Sequence, residues 1–153
     1  MKLRFSDEKS EITENKPSLF LAGPTPRSSN VPSWRKDAIK ILEELNFDGD
    51  VLIPEKKDWS VKFQYEDQIN WEKYGLENSK TIVFWVPRYF PDMKGLTTNV
   101  EFGIYITKSP NKVLYGRPDD AEQVRYLDLL YNQITGRIHV NSLYLLLTEA
   151  VNY

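Results

Sequence analysis

Cysteine is absent from all 153 residues, and histidine occurs once. The first absence removes thiolate nucleophiles, disulfide frameworks, zinc knuckles and iron–sulfur ligation, and the second leaves no His-rich metal site. No cofactor and no metal are therefore expected, and enzymatic chemistry in such a chain falls to carboxylates. Apolar runs are short: none approaches the roughly 18–20 residues that cross a bilayer, and the N-terminus is Lys/Glu-rich where a signal peptide needs an apolar segment. The expectation is a cytoplasmic protein with no membrane partner. Neither sign of charge dominates, with 20 Lys and Arg against 22 Asp and Glu for a formal charge of -2. That balance gives no footprint for a nucleic-acid polymer and favours a small-molecule partner. Neither a Walker lysine motif nor Gly-x-Gly-x-x-Gly occurs, so a nucleoside triphosphatase or a nicotinamide-linked dehydrogenase has little basis.

What is present is enough to build a core. Aromatic residues make up 13% and charged residues 27%, unlike an intrinsically disordered chain. A chain of this length buries roughly 68–70% of its unfolded surface as one domain. Residues 1–17 read as a polar N-terminal arm, and 18–153 as the single domain. Leu19-Phe20-Leu21-Ala22 reads as a buried strand closed by Gly23-Pro24-Thr25-Pro26, through which no helix or central strand can continue. Helical spacing of Trp34, Ala38, Ile41, Leu42 and Leu45 predicts an amphipathic helix with Ser33 as N-cap. Val51-Leu52-Ile53 is a second strand stopped by Pro54, and a helical pattern follows over about 65–76. Thr81-Ile82-Val83-Phe84-Trp85-Val86 is the strongest strand, a run of the kind buried on both faces of a parallel sheet. Thr97 or Thr98 then caps a helix over 99–107, Lys112-Val113-Leu114-Tyr115 gives a fourth strand, and Asp119 or Asp120 caps a helix to about 133. Ile138-His139-Val140 is a candidate fifth strand before a last helix over 142–151. This alternation predicts an α/β fold, an open parallel five-stranded sheet with helices on both faces. Ligands of such sheets sit outside the carboxyl ends of the strands.

Two carboxylates stand where those ends should be. Glu101, in Thr97-Thr98-Asn99-Val100-Glu101-Phe102-Gly103, has two readings: a capping box with Thr98, or a carboxylate aimed across the strand ends. Gly103 beside it allows close backbone packing. Glu72 is either on a solvated helix face or functional beside Trp71. Trp59, Phe63 and Tyr65 are either core or flat walls for a planar ligand, since they follow a strand end. Thr25 and Arg27, with Ser28, can hold a phosphate or a sugar hydroxyl, or form a tight structural turn. His139 has no nucleophile motif near it and reads as structural.

Leu21-Ala22-Gly23-Pro24, Ser33-Trp34-Arg35, Gln68-Ile69-Asn70-Trp71-Glu72, Phe84-Trp85-Val86-Pro87-Arg88, Thr97 to Gly103 and Tyr115-Gly116-Arg117-Pro118-Asp119-Asp120 occur in order from Ser18 to about Tyr131. Together they resemble the nucleoside 2-deoxyribosyltransferase-like proteins. The resemblance implies a flavodoxin-like, Rossmann-like sheet and homo-oligomers in which a neighbouring subunit completes the site, with the C-terminal Asn152-Tyr153 within reach of it. It implies that Glu101 attacks the anomeric carbon of a 2'-deoxynucleoside or nucleotide, and that Glu72 handles the base and the proton of its leaving nitrogen. Glu72 stands where the well-known transferases carry Asp. A free nucleobase would accept the sugar. Gly23 and Pro24 would shape the sugar pocket, with Thr25, Arg27, Trp59, Phe63 and Trp71 as further substrate contacts. The loop before the nucleophile, 88–95, is longer than in those transferases; Asp92 is its candidate base ligand, and Arg88 and Asn99 are candidate contacts to sugar or phosphate. An N-glycoside hydrolase acting on nucleoside monophosphates and a non-catalytic nucleotide-binding module are the alternatives.

Overall fold

The computed structural model describes residues 1–153 apart from 28, 29, 59, 61 and 63. Five strands, β1 (Lys2–Phe5), β2 (Ser18–Ala22), β3 (Asp50–Ile53), β4 (Thr81–Trp85) and β5 (Val113–Gly116), form one sheet in the order β1-β3-β2-β4-β5. Every pairing is parallel. Helices α1 (Arg35–Glu44), α2 (Tyr65–Asn78), α3 (Leu96–Lys108), α4 (Arg125–Thr135) and α5 (Leu143–Val151) link and follow the strands. This is an open α/β sheet consistent with a flavodoxin-like fold.

Strand alternation divides the core into two layers. Phe20, Leu52, Ile82, Phe84, Val113 and Tyr115 face α2, α3 and α4, while Leu19, Leu21, Val51, Ile53, Val83 and Leu114 face α1 and α5. Both faces are covered, so the strands read as continuous apolar runs and not as alternating ones.

Three expectations are corrected. Residues 2–5, inside the segment read as a polar arm, form the edge strand β1, in register with β3 from Lys2↔Asp50 to Phe5↔Ile53. Its polar sequence suits an edge that pairs on one side. Arg4 Nε donates to Asp50 Oδ1 at 3.0 Å, and the Thr13 N–H donates to Asp50 Oδ2 at 2.6 Å. The sheet's fifth strand is thus N-terminal, because 138–140 supplies only a single bridge, Gly116↔Val140. Third, two helix starts lie elsewhere: α4 begins at Arg125, and α3 begins at Leu96 behind an N-cap at Gly95 that uses no side chain. Gly95 has φ 58°, a left-handed turn that glycine accepts without a Cβ penalty. Among the described residues no helix is long and apolar enough to cross a membrane.

The chain leaves β2 for β3 on one side and returns across β2 to β4 on the other. The switch point therefore lies between the carboxyl ends of β2 and β4, where a crevice is left uncovered.

Candidate active site

A cavity of about 480 Å³ opens at that crevice. Its walls come from the loop after β2 (Gly23, Thr25, Pro26, Arg27), the turn after β3 (Pro54, Glu55, Lys56), the cavity side of α2 (Tyr65, Gln68, Ile69, Glu72) and the start of α3 (Gly95 to Thr98, Glu101). These segments are far apart in sequence, and parallel strands ending at one level bring them together.

Glu101 is not part of a capping box. With α3 starting at Leu96, Thr98 lies inside the first turn, buried, and Glu101 lies in the second turn facing the cavity. Among the described residues nothing hydrogen-bonds to its carboxyl. Burial, reinforced by the negative charge of Glu72 and opposed by Arg35, pushes Glu101 up to about 8. Burial also raises Glu72, against the Gln68 amide that donates to its Oε1 at 3.0 Å and against Arg35. Two carboxyls that feel each other titrate as a unit, and near neutral pH such a pair retains a proton. A pair carrying one proton offers one carboxylate and one acid in the same cavity.

Beneath them lies Arg35, which sequence reading assigned only to a helix start. The side chain is 1% exposed and its donors are all directed at protein. Nε reaches Leu21 O at 3.0 Å, Nη2 reaches Gly23 O at 2.8 Å, and Nη1 reaches Pro24 O and Thr25 Oγ1 at 3.3 Å and Glu55 Oε1 at 2.7 Å. Burial lowers its pKa, while Glu55 beside it raises it. One guanidinium thus fixes the carbonyls of the β2 loop and supplies the positive charge that both Glu101 and Glu72 feel. A cation in the first turn of a helix normally reads as solvated. Only the convergence of the Leu21, Gly23 and Pro24 carbonyls on that position reveals its role.

The remaining candidates divide. Gly23, Thr25 and Arg27 line the cavity, as does Tyr65. Gly23 has φ 148°, and a Cβ there would run into the Trp85 carbonyl, so the loop can pass this close to β4 only with glycine. Pro24 sits behind the wall, its carbonyl accepting from Trp34 Nε1 at 3.0 Å, so it shapes the loop from the core side. Trp71 is in the core, 6% exposed, tilted against Phe20 and donating its indole N–H to Glu8 O at 3.0 Å. It does not line the cavity. Arg88 is also turned inward, 3% exposed, donating to Gln123 O, Gly95 O and Asn99 Oδ1. That contact makes Arg88 and Asn99 a brace between the β4 loop and α3, and neither lines the cavity. Asp92 accepts the Arg27 N–H at its backbone carbonyl, 3.0 Å, and likewise lies off the cavity. Trp59, Phe63 and Ser28 fall outside the described residues. Gly103 has no neighbour that a Cβ would meet, so close packing does not require it.

Residues 16–119 match a family model described as nucleoside 2-deoxyribosyltransferase like. Among curated proteins none matches the chain.

Proposed function

The chain belongs to the nucleoside 2-deoxyribosyltransferase-like family, and from that premise we propose that it cleaves the N-glycosidic bond of a 2'-deoxynucleoside and passes the sugar to another base. The observation that carries the reading is the carboxyl pair: Glu101 and Glu72 line one cavity, each raised above its ordinary value, over a buried guanidinium.

In the first step a carboxylate oxygen of Glu101 forms a bond to the anomeric carbon as the bond to the base nitrogen breaks. The bonding pair leaves with the base, and Glu72 delivers the shared proton to it. The product is a deoxyribosyl ester of Glu101 and a neutral base. In the second step a nitrogen of the incoming base attacks the same carbon, Glu101 leaves as carboxylate, and Glu72 takes up the proton. Two displacements retain configuration, and the oxocarbenium-like transition states are stabilised by the carboxylate beneath them. Near neutral pH the pair carries one proton, which rests on Glu101 in the empty cavity; the reactive form is the arrangement in which that proton has passed to Glu72 and Glu101 is ionised. The surplus charge of the doubly ionised pair is what the cavity resists, as the elevated values express.

A second copy completing the cavity belongs to the same reading. Leu96, Val100 and Ile104 repeat along the outer face of α3, 62%, 61% and 49% exposed, and Leu96 is itself at the cavity.

Incubation with deoxyinosine and free adenine, followed by chromatography for deoxyadenosine, tests the reading. Wild type should form deoxyadenosine and release hypoxanthine, and Glu101→Ala should form neither. Hypoxanthine released without an acceptor would mark a hydrolase. Absence of both products, for nucleosides and for deoxynucleoside monophosphates, would defeat the enzymatic reading.

A further inference from the structure

Glu55 belongs to the cavity wall but has no part in the two-carboxyl chemistry. Ile53 ends β3 and Pro54 prevents its continuation, so Glu55 is the first side chain free to turn across the strand ends. One of its oxygens is fully engaged: Oε1 accepts from Ser33 Oγ at 2.6 Å and from Arg35 Nη1 at 2.7 Å. Arg35 is in turn bonded to the carbonyls of Leu21, Gly23 and Pro24. The carboxylate is therefore held in register with the β2 loop and cannot swing away. Its side chain is 14% exposed, and among the described residues Oε2 makes no hydrogen bond.

We propose that Glu55 is a specificity-determining residue of this cavity, its Oε2 accepting a hydrogen bond from a hydroxyl or amino group of the bound nucleoside. The inference rests on the nucleoside reading above. An ionised carboxylate accepts and cannot donate, so the partner must bring an O–H or N–H. Pinning one oxygen with two short charge-assisted bonds removes the rotational freedom that would otherwise be lost on binding. The open oxygen, largely withdrawn from water, gains most from a ligand donor and tolerates an analogue lacking that donor poorly. Two groups of a deoxynucleoside carry this chemistry, a sugar hydroxyl and an exocyclic amine of the base.

Binding is best read in a Glu101→Gln background, which blocks turnover, by titration calorimetry with four probes. These are 2'-deoxyadenosine, its 5'-deoxy analogue, its 3'-deoxy analogue, and the 2'-deoxyribosyl purine without the 6-amino group. Adding Glu55→Gln keeps an acceptor for Ser33 and Arg35 while turning an NH2 toward the cavity. It should weaken 2'-deoxyadenosine about 10- to 100-fold, the size of one charge-assisted hydrogen bond. The analogue lacking the contacted donor should be weak already and should not respond to Glu55→Gln; which analogue this is distinguishes sugar from base. Ser33→Ala removes one of the two pins and leaves the charge pair intact. It should weaken the same probes severalfold, which keeps the proposal testable if Glu55→Gln does not fold. Equal affinity for all four probes with and without Glu55→Gln would overturn the role of Glu55 and leave the nucleoside reading standing. Failure of every probe to bind the Glu101→Gln protein, with no turnover by wild type, would overturn both.

Discussion

Replacing Glu101 by Gln should stabilise the empty protein, and by an amount that grows with pH. A carboxyl that titrates at about 8 when folded and at 4.5 when unfolded keeps its proton in the folded state over a range where the unfolded chain has released it. Below pH 4.5 its contribution is fully present; as pH rises to about 8 the contribution is lost, because the folded state must then ionise a carboxyl beside Glu72. Linkage over that interval gives roughly 3 kcal/mol at pH 7. Solvent entering the open cavity screens part of this, leaving about 2 kcal/mol. Glutamine has the same shape and no charge to desolvate, so the variant escapes the loss. For a domain of this size that is a rise in Tm of about 4–8 °C at pH 7, shrinking towards zero near pH 4.5. Glu72 remains in both proteins and gives each a residual slope. Thermal melts of both proteins from pH 4.5 to 9 measure the difference directly. Parallel curves, or a variant less stable than wild type at pH 8, would refute the argument that Glu101 is held in a desolvated, like-charged site.

The same pair predicts a bell-shaped kcat/KM for base exchange, with its basic limb near pH 8 and an acid limb above the ordinary carboxyl range; Glu72→Gln should remove the basic limb, as rate profiles from pH 5 to 9 would reveal. Arg35→Met should cost about 3–5 kcal/mol in urea denaturation, because Glu55 loses its cation and the carbonyls of Leu21, Gly23 and Pro24 each lose a donor. Arg35→Lys should recover only part of this, since an ammonium cannot span the fork. Two glycines should respond oppositely. Gly23→Ala should destabilise by about 3 kcal/mol or more through its clash with the Trp85 carbonyl, whereas Gly103→Ala, in open space on α3, should stabilise by up to about 1 kcal/mol.

Much of this molecule is written locally. Strands β2 to β5 are apolar runs stopped by Gly or Pro, and they are legible because a strand covered on both faces needs little from its neighbours to reveal itself. Glu101 is legible as well, through the residues around it. Other features have no local signature. Lys-Leu-Arg-Phe at 2–5 resembles a polar arm until β3 offers it an edge, while Ile138-His139-Val140 resembles a strand but finds one bridge. Trp71 and Glu72 are adjacent on α2, yet one is in the core and the other on the cavity, because a turn of 100° per residue sends neighbours to different faces.

By itself, then, the sequence determined the alternation of strands and helices, the parallel sheet and the placement of loops at its carboxyl end, which follow from periodicity and chain breakers, while the family resemblance of its short motifs singled out Glu101 as the nucleophile candidate. Only the tertiary structure decided that Arg88 and Asn99 brace each other away from the cavity, and that Arg35 lies beneath the site with Glu55 fixed to it. Those assignments depend on which carbonyls and charges converge from segments 11 to 20 residues away in the chain. Burial of a charge is settled by such partners, and they become neighbours only when the sheet has formed.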